Sequence, residues 1–100
     1  MSAHTAHQSY WVYIVTNKRN GTLYIGVTNS LKTRLWQHKA KVIEGFTKQY
    51  GLDRLVHFEE FRHIVTAIDR EKELKGWLRS KKIGLIETNN LTWQDLGADW

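Results

Sequence analysis

Two short runs of β-branched and aromatic residues, joined by a tight-turn signal, constrain the fold of this chain most strongly. Residues 10–16 are YWVYIVT and residues 22–27 are TLYIGV, and both compositions are typical of β-strands. Between them lies the dipeptide Asn20-Gly21, whose two residues tolerate the positive φ angles of a hairpin turn. The sequence therefore predicts an antiparallel β-hairpin near the start of the chain.

The residues after the hairpin predict a helix over residues 30–43. Leu31, Leu35 and Val42 recur at helical spacing and fall on one face of this helix. That face is expected to pack against the sheet. Residues 45–53 contain two glycines and are predicted to form a loop.

The second half of the chain is predicted to add one strand and two helices. Residues 54–61 predict a third strand. Thr66 is placed to cap a second long helix that continues to about Ser80. Residues 81–88 predict a separate short helix, and the rest of the chain is expected to be a loop anchored by Trp93.

The resulting order is β–β–α–β–α, with a further short helix at the end. This order predicts an α/β (α+β) fold, in which a small three-stranded antiparallel sheet is flanked by helices. A length of 100 residues is enough for one hydrophobic core. We therefore expect a single domain over residues 10–100, preceded by a flexible tail over residues 1–9.

Composition excludes several classes of protein. The chain contains no cysteine, which excludes disulfides and cysteine-based zinc fingers. Its apolar runs are far shorter than the roughly 18 residues needed to span a bilayer. Because the first residues are polar and lack the apolar core of a signal peptide, we expect a cytoplasmic protein with no membrane partner.

The positive charge is concentrated in the first half of the chain. The net charge is +5 overall. Residues 1–50 carry seven cations and one anion, whereas residues 51–100 carry eight cations and nine anions. This asymmetry favours a surface that binds a polyanion such as nucleic acid, although many small proteins are mildly basic without binding one.

One carboxylate is expected on an apolar helix face. On a helical wheel of 100° per residue, Glu71 falls beside Leu74, Leu78 and Leu85. An unpaired charge in such surroundings is costly, so Glu71 must be paired, protonated or bound to a metal ion. A salt bridge to a nearby arginine and a partly exposed edge position are equally compatible with the pattern.

Four further polar residues are predicted to face the sheet or one another. Arg34 and His38 are neighbours at i,i+4 on the first helix and border its apolar face. Such a pair can hold a phosphate, or it can be a surface arginine beside a hydrogen-bonded histidine. Tyr13 and Tyr24 can present hydroxyls on one face of the hairpin, where Gly26 allows a backbone or a ligand to approach, although packing alone also accounts for strand tyrosines.

In this order, these residues resemble the GIY-YIG endonuclease domain over residues 10 to about 96. The similarity is greatest to the small stand-alone bacterial members of that family. The sequence departs from the family pattern at Trp11, where the family name has glycine, and at Leu91, where this branch often has proline. The matching positions are Trp11-Val12-Tyr13, Tyr24-Ile25-Gly26, Arg34, His38, Glu71 and Asn90.

The resemblance implies a catalytic role for each matching side chain. Glu71 would be the protein ligand of a single divalent ion, Mg²⁺ or Mn²⁺. Tyr13 would be the general base on water, with its pKa lowered by the metal ion or a nearby cation. Tyr24 would orient water or phosphate, and Arg34 would neutralise the charge that develops on phosphorus. His38 would donate to the phosphate or help the leaving group, and Asn90 would brace the site.

The resemblance also implies DNA as the partner and substrate. Lysines on the predicted helices and the loop between them could follow the phosphate backbone, although for any single lysine a solvated helix face is the simpler explanation. The candidate DNA contacts are Lys32, Lys39, Lys41, Lys48, Lys72 and Lys75.

Together, these features predict a divalent-metal-dependent endonuclease that nicks structured or damaged DNA with low sequence specificity. It is expected to act as a monomer in the bacterial cytosol or nucleoid, with repair or recombination proteins as possible partners. The alternative is a non-catalytic nucleic-acid-binding module or accessory domain on the same scaffold.

Overall fold

A computed structural model describes residues 8–43 and 45–100 of the chain. It confirms the α+β fold, the three-stranded antiparallel sheet and the predicted order of elements, with one additional short helix. Residues 1–7 of the predicted tail lie outside the described residues. The elements are β1 (Tyr10–Thr16), β2 (Leu23–Thr28), α1 (Leu31–Lys39), α2 (Phe46–Tyr50), β3 (Arg54–Phe61), α3 (Ile64–Lys75) and α4 (Arg79–Asn89).

The central strand of the sheet is β1, which pairs antiparallel with both neighbours in the order β2-β1-β3. The predicted hairpin is formed by β1 and β2, and Tyr13 lies opposite Gly26 in its register. The connection is longer than a two-residue turn, and Asn20 adopts the left-handed conformation, with φ of 58°. An irregularity between Ile14 and Val15 shifts the register of β1 against β3.

Each face of the sheet is covered by a different set of helices. Because side chains alternate along a strand, consecutive residues of β1 enter two separate apolar clusters. One cluster lies on the side of α3 and α4 and contains Val12, Ile14, Ile25, Val56, Ala67, Leu74, Ile86 and Trp93. The other lies on the side of α1 and contains Tyr13, Val15, Leu31, Leu35, Leu52 and Leu55.

The first helix is shorter than predicted. It ends at Lys39, and Lys41 has a positive φ of 57°, a conformation that cannot continue a right-handed helix. Val42 is therefore 54% exposed instead of buried with Leu31 and Leu35. The predicted loop over residues 45–53 contains the short helix α2.

The second long helix begins earlier and ends earlier than predicted. Its first residue is Ile64, so Thr66 lies inside the helix instead of capping it. Gly76 ends α3, and Leu78 has an extended backbone before α4 begins. The helical wheel assumed one continuous helix, so its prediction of a shared apolar face does not hold beyond Gly76. Leu78, which it placed on that face, is 79% exposed.

The last segment of the chain packs back onto the domain. Trp93 is fully buried and anchors it as predicted. The carboxylate of Asp95 accepts hydrogen bonds from the backbone amides of Leu55 and Gly97 and pairs with Lys39. Within the described residues, no helix is long and apolar enough to cross a membrane.

Candidate active site

The phenol ring of Tyr13 lies against the backbone of β2 at Gly26. Tyr13 is buried, and a Cβ added to Gly26 would lie 2.6 Å from the Tyr13 hydroxyl oxygen. A side chain at position 26 would therefore displace the ring. The interpretation that Gly26 leaves room for a backbone or a ligand is wrong, because the Tyr13 ring occupies that space.

His38 joins the two hairpin tyrosines on the α1 side of the sheet. Its Nε2 lies 3.0 Å from the Tyr13 hydroxyl oxygen, and both side chains are buried. The Tyr24 ring lies 6.4 Å from the Tyr13 ring and 6.1 Å from the His38 ring, between centroids. The prediction that the two tyrosines share a face is confirmed. We refer to Tyr13, Tyr24 and His38 as the tyrosine–histidine cluster.

Burial raises the pKa of Tyr13, and the neighbouring Tyr24 raises it further. The positive charge of Arg34 opposes these effects, whereas the negative charge of Glu71 adds to them. Both charged residues therefore act on the same hydroxyl. The charge of Arg34 alone does not offset burial, so the expected lowering of the Tyr13 pKa would have to come from the bound metal ion.

The protonation state of His38 is set by burial and by Arg34, which together lower its pKa to about 4, while Asp53 opposes them. His38 is therefore neutral at pH 7. Its Nδ1 is buried and has no hydrogen-bond partner among the described residues. The neutral ring can accept a proton at Nε2, where it meets Tyr13.

Arg34 lies close enough to Tyr13 and His38 for its positive charge to lower the pKa of both. It is half-buried on α1 and lines a cavity of about 240 Å³ together with Thr28, Asn29 and Ile64, the first residue of α3. Within residues 8–43 and 45–100, Arg34 forms no ion pair. Its planar guanidinium is thus available for an anion such as phosphate.

Glu71 is paired, as one of the predicted alternatives proposed. Its carboxylate lies 2.9 Å from the Nζ of Lys75, one turn along α3, and its side chain is 16% exposed. The partner is a lysine instead of the expected arginine. The i,i+4 spacing of Glu71 and Lys75 was the available sequence signal for this contact.

The chemistry of Glu71 fits a weakly held divalent ion. The described residues contain no group of three or more histidine, cysteine or acidic side chains that could form a closed metal site. A single accessible carboxylate suits Mg²⁺ or Mn²⁺, which commonly retain several waters and bind the phosphates of the substrate.

Asn90 is buried behind β3. Its Nδ2 donates to the backbone oxygens of Val56 and Gln94, at 3.2 and 2.8 Å, and its Oδ1 accepts from the Gln94 amide at 2.9 Å. Both polar groups of the side chain are therefore used within the protein. These contacts attach the last segment of the chain to the sheet.

The six candidate DNA-binding lysines lie in different surroundings. Lys39 pairs with Asp95, and Lys41 lies 3.9 Å from the Asp53 carboxylate. Lys72 is exposed, and Lys48 also makes an interaction. The Nζ of Lys32 lies 5.8 Å from the centre of the Trp100 ring, and Lys75 is held by Glu71. The paired lysines would have to exchange partners to contact DNA.

The chain is similar to a family of known proteins. The model of the GIY-YIG catalytic domain matches residues 9–84. A UPF0213 protein of Haloquadratum walsbyi is 36% identical over 78 residues, which cover 78% of this chain and 86% of the relative. One from Staphylococcus haemolyticus is also 36% identical over 78 residues, covering 78% of this chain and 94% of that protein.

A solved structure is also similar. The solution NMR structure of a UPF0213 protein from Bacillus halodurans is 26% identical, with a TM-score of 0.55, over 87% of this chain and 92% of that one. These matches, together with the order of the motif residues along the chain, show that the chain belongs to the GIY-YIG nuclease family and, within it, to the small UPF0213 proteins.

Proposed function

We propose that the chain is a divalent-metal-dependent endonuclease that hydrolyses phosphodiester bonds in DNA. The observation that carries this proposal is the 3.0 Å contact between the Tyr13 hydroxyl and the His38 Nε2. Arg34 and Glu71 both act electrostatically on that hydroxyl. A base, a phosphate-binding cation and a metal-binding carboxylate are the groups that phosphodiester hydrolysis needs.

Water activation is assigned to the Tyr13–His38 pair. The raised pKa of Tyr13 disfavours a phenolate, but a proton relay does not require one. In this relay the Tyr13 hydroxyl donates to Nε2 of neutral His38. As water attacks phosphorus, one of its protons passes to the Tyr13 oxygen while the Tyr13 proton passes to Nε2 of His38. The bond between phosphorus and the leaving oxygen breaks, that oxygen takes up a proton from solvent, and His38 then returns its extra proton to solvent. This role replaces donation from His38 to the phosphate, because its Nε2 already faces Tyr13.

The remaining residues stabilise the phosphate. Arg34 neutralises the negative charge that develops on phosphorus, and Tyr24 orients water or phosphate beside it. Asn90 braces the sheet from behind. A Mg²⁺ or Mn²⁺ ion held by Glu71 would supply further charge stabilisation at the phosphate.

The proposed substrate is structured or damaged DNA, cut with low sequence specificity. Contacts between lysines and phosphates give affinity that depends on salt and hardly on sequence. A monomer with a single site would nick one strand at a time. Repair or recombination proteins are the proposed partners, and the bacterial cytosol or nucleoid is the proposed location.

The test is nicking of supercoiled plasmid and of a branched oligonucleotide with Mg²⁺, Mn²⁺ or EDTA. We expect cleavage with either metal ion and none with EDTA. Glu71→Gln preserves size but removes the charge, and we expect it to lower the rate by about a hundredfold or more. Glu73→Gln, on the same helix and paired with Arg70, is the matched control and should cut at nearly the native rate.

A non-catalytic DNA-binding module is the second candidate. The ion pair between Glu71 and Lys75 favours it, because this pair occupies the carboxylate that the metal ion would need. DNA binding without cleavage at any metal concentration would support this module and contradict the nuclease.

A further inference from the structure

An aromatic cleft lies next to the proposed active site. It has a volume of about 360 Å³, within the range of about 300–1,000 Å³ that is usual for small-ligand pockets. The rings of Trp11, Phe58 and Trp100 line it, together with Lys32 and Asn29. We refer to this site as the aromatic cleft.

The fold presents these rings to solvent instead of burying them in the core. Trp11 on β1 and Phe58 on β3 lie on the α1 side of the sheet, and Trp100 approaches from the last segment. Phe58 is 40% exposed and Trp100 is 50% exposed, with ring centroids 6.1 Å apart. Exposed aromatic side chains that gather at a concave surface indicate a binding site.

The charge at the cleft favours part of a nucleic acid as its occupant. The Lys32 ammonium lies 5.8 Å from the Trp100 ring centre, so a cation stands at the cleft beside the aromatic surface. Aromatic rings that stack on bases, combined with cations that follow the backbone, are typical of sites for nucleic-acid strands. An apolar peptide would gain the aromatic contacts but nothing from the cation.

The cleft and the cavity of Arg34 are neighbours that share one lining residue. Asn29, in the connection between β2 and α1, lines both cavities. A DNA strand with a phosphate at Arg34 would therefore have the cleft beside it, on the other side of Asn29.

We infer that the aromatic cleft binds a nucleobase of the DNA strand whose phosphate lies at Arg34. This inference rests on the proposed function, because it takes that phosphate as its reference point. Phe58 and Trp100 supply the stacking surface, and Lys32 supports the neighbouring backbone. The base must be unstacked from its neighbours to enter.

The test measures binding without cleavage. An oligonucleotide containing the fluorescent base 2-aminopurine is titrated with protein in EDTA, and its quenching reports stacking. We expect Phe58→Leu and Trp100→Leu each to raise the Kd about tenfold and to reduce the quenching, as for the loss of one base–aromatic contact. Tyr50→Leu is the matched control, since Tyr50 is 47% exposed on α2 and lines neither the cleft nor the cavity of Arg34, and we expect a change below twofold.

The outcomes separate this inference from the nuclease proposal. Cleavage and binding that are unaffected by Phe58→Leu would overturn the cleft and leave the nuclease standing. Binding that depends on Phe58 but is never followed by cleavage with metal ions would support the cleft and contradict the nuclease. A native protein that binds no DNA would overturn both. A dimer that Phe58→Leu dissociates, measured by light scattering, would assign the cleft to a second copy and overturn the inference.

Discussion

Gly26 is the residue at which the requirement for a particular side chain is most direct. A methyl group there would lie 2.6 Å from the Tyr13 hydroxyl oxygen, so the ring of Tyr13 must move in Gly26→Ala. We expect a loss of about 1–3 kcal/mol in the free energy of unfolding, measured in urea, and a large loss of cleavage. Gly84→Ala is the control, because nothing lies within 4 Å of its added methyl group and alanine favours the helix α4. Equal stabilities for the two variants would contradict this packing.

His38 gives the domain a specific dependence of stability on pH. Its pKa is about 4 in the folded chain and about 6.5 when unfolded, so the unfolded state binds more protons between these values. The contribution of His38 to the free energy of unfolding is therefore fully present above about pH 6.5 and is lost as the pH falls towards 4. We expect it to reach about 3 kcal/mol, measured by urea unfolding across this range. His38→Gln should lose this part of the slope, and an unchanged slope would contradict the assignment.

At the scale of single elements, the sequence predicts helices and strands better than it predicts their ends. The apolar spacing of Leu31 and Leu35 is sufficient to place α1, because burial of that face drives its formation. Its end depends on the left-handed backbone of Lys41, which no residue type there requires. The site follows the same rule. Local spacing predicted the pair of Arg34 and His38, whereas the contact between His38 and Tyr13 arises only when α1 packs on the sheet.

Helix α3 sets the availability of Glu71 through Lys75. Replacement of the lysine in Lys75→Gln removes the positive charge that competes with a metal ion for the carboxylate. Because such pairs contribute about 0.2–1 kcal/mol, we expect half-maximal cleavage at a severalfold lower Mg²⁺ concentration. The measurement is a titration of nicking with Mg²⁺, with the exposed Lys72→Gln as control. If Lys75→Gln raised the Mg²⁺ requirement or weakened DNA binding more than Lys72→Gln, Lys75 would instead contact the substrate.

At the scale of the whole molecule, the last segment returns to the sheet and joins elements that are distant in sequence. Asp95 connects this segment to α1 through Lys39 and to β3 through the amide of Leu55. Arg54, which also lies on β3, donates to the backbone oxygen of Trp93 in the last segment. Because α1 carries Arg34 and His38, the segment holds the site indirectly. The sequence patterns of strands and helices could not predict these contacts, because no periodic feature marks residues 90–100.

Asn90 tests whether this attachment is structural or chemical. Asn90→Ala removes three hydrogen bonds and leaves the buried backbone oxygen of Val56 without its amide donor. We expect the free energy of unfolding to fall by about 1–3 kcal/mol. Asn89→Ala, an exposed position on the adjacent residue, should be nearly neutral. If Asn90 only braces the domain, the folded variant will retain its cleavage rate at a temperature well below its Tm. A loss of kcat without a loss of stability would instead place Asn90 in the reaction itself.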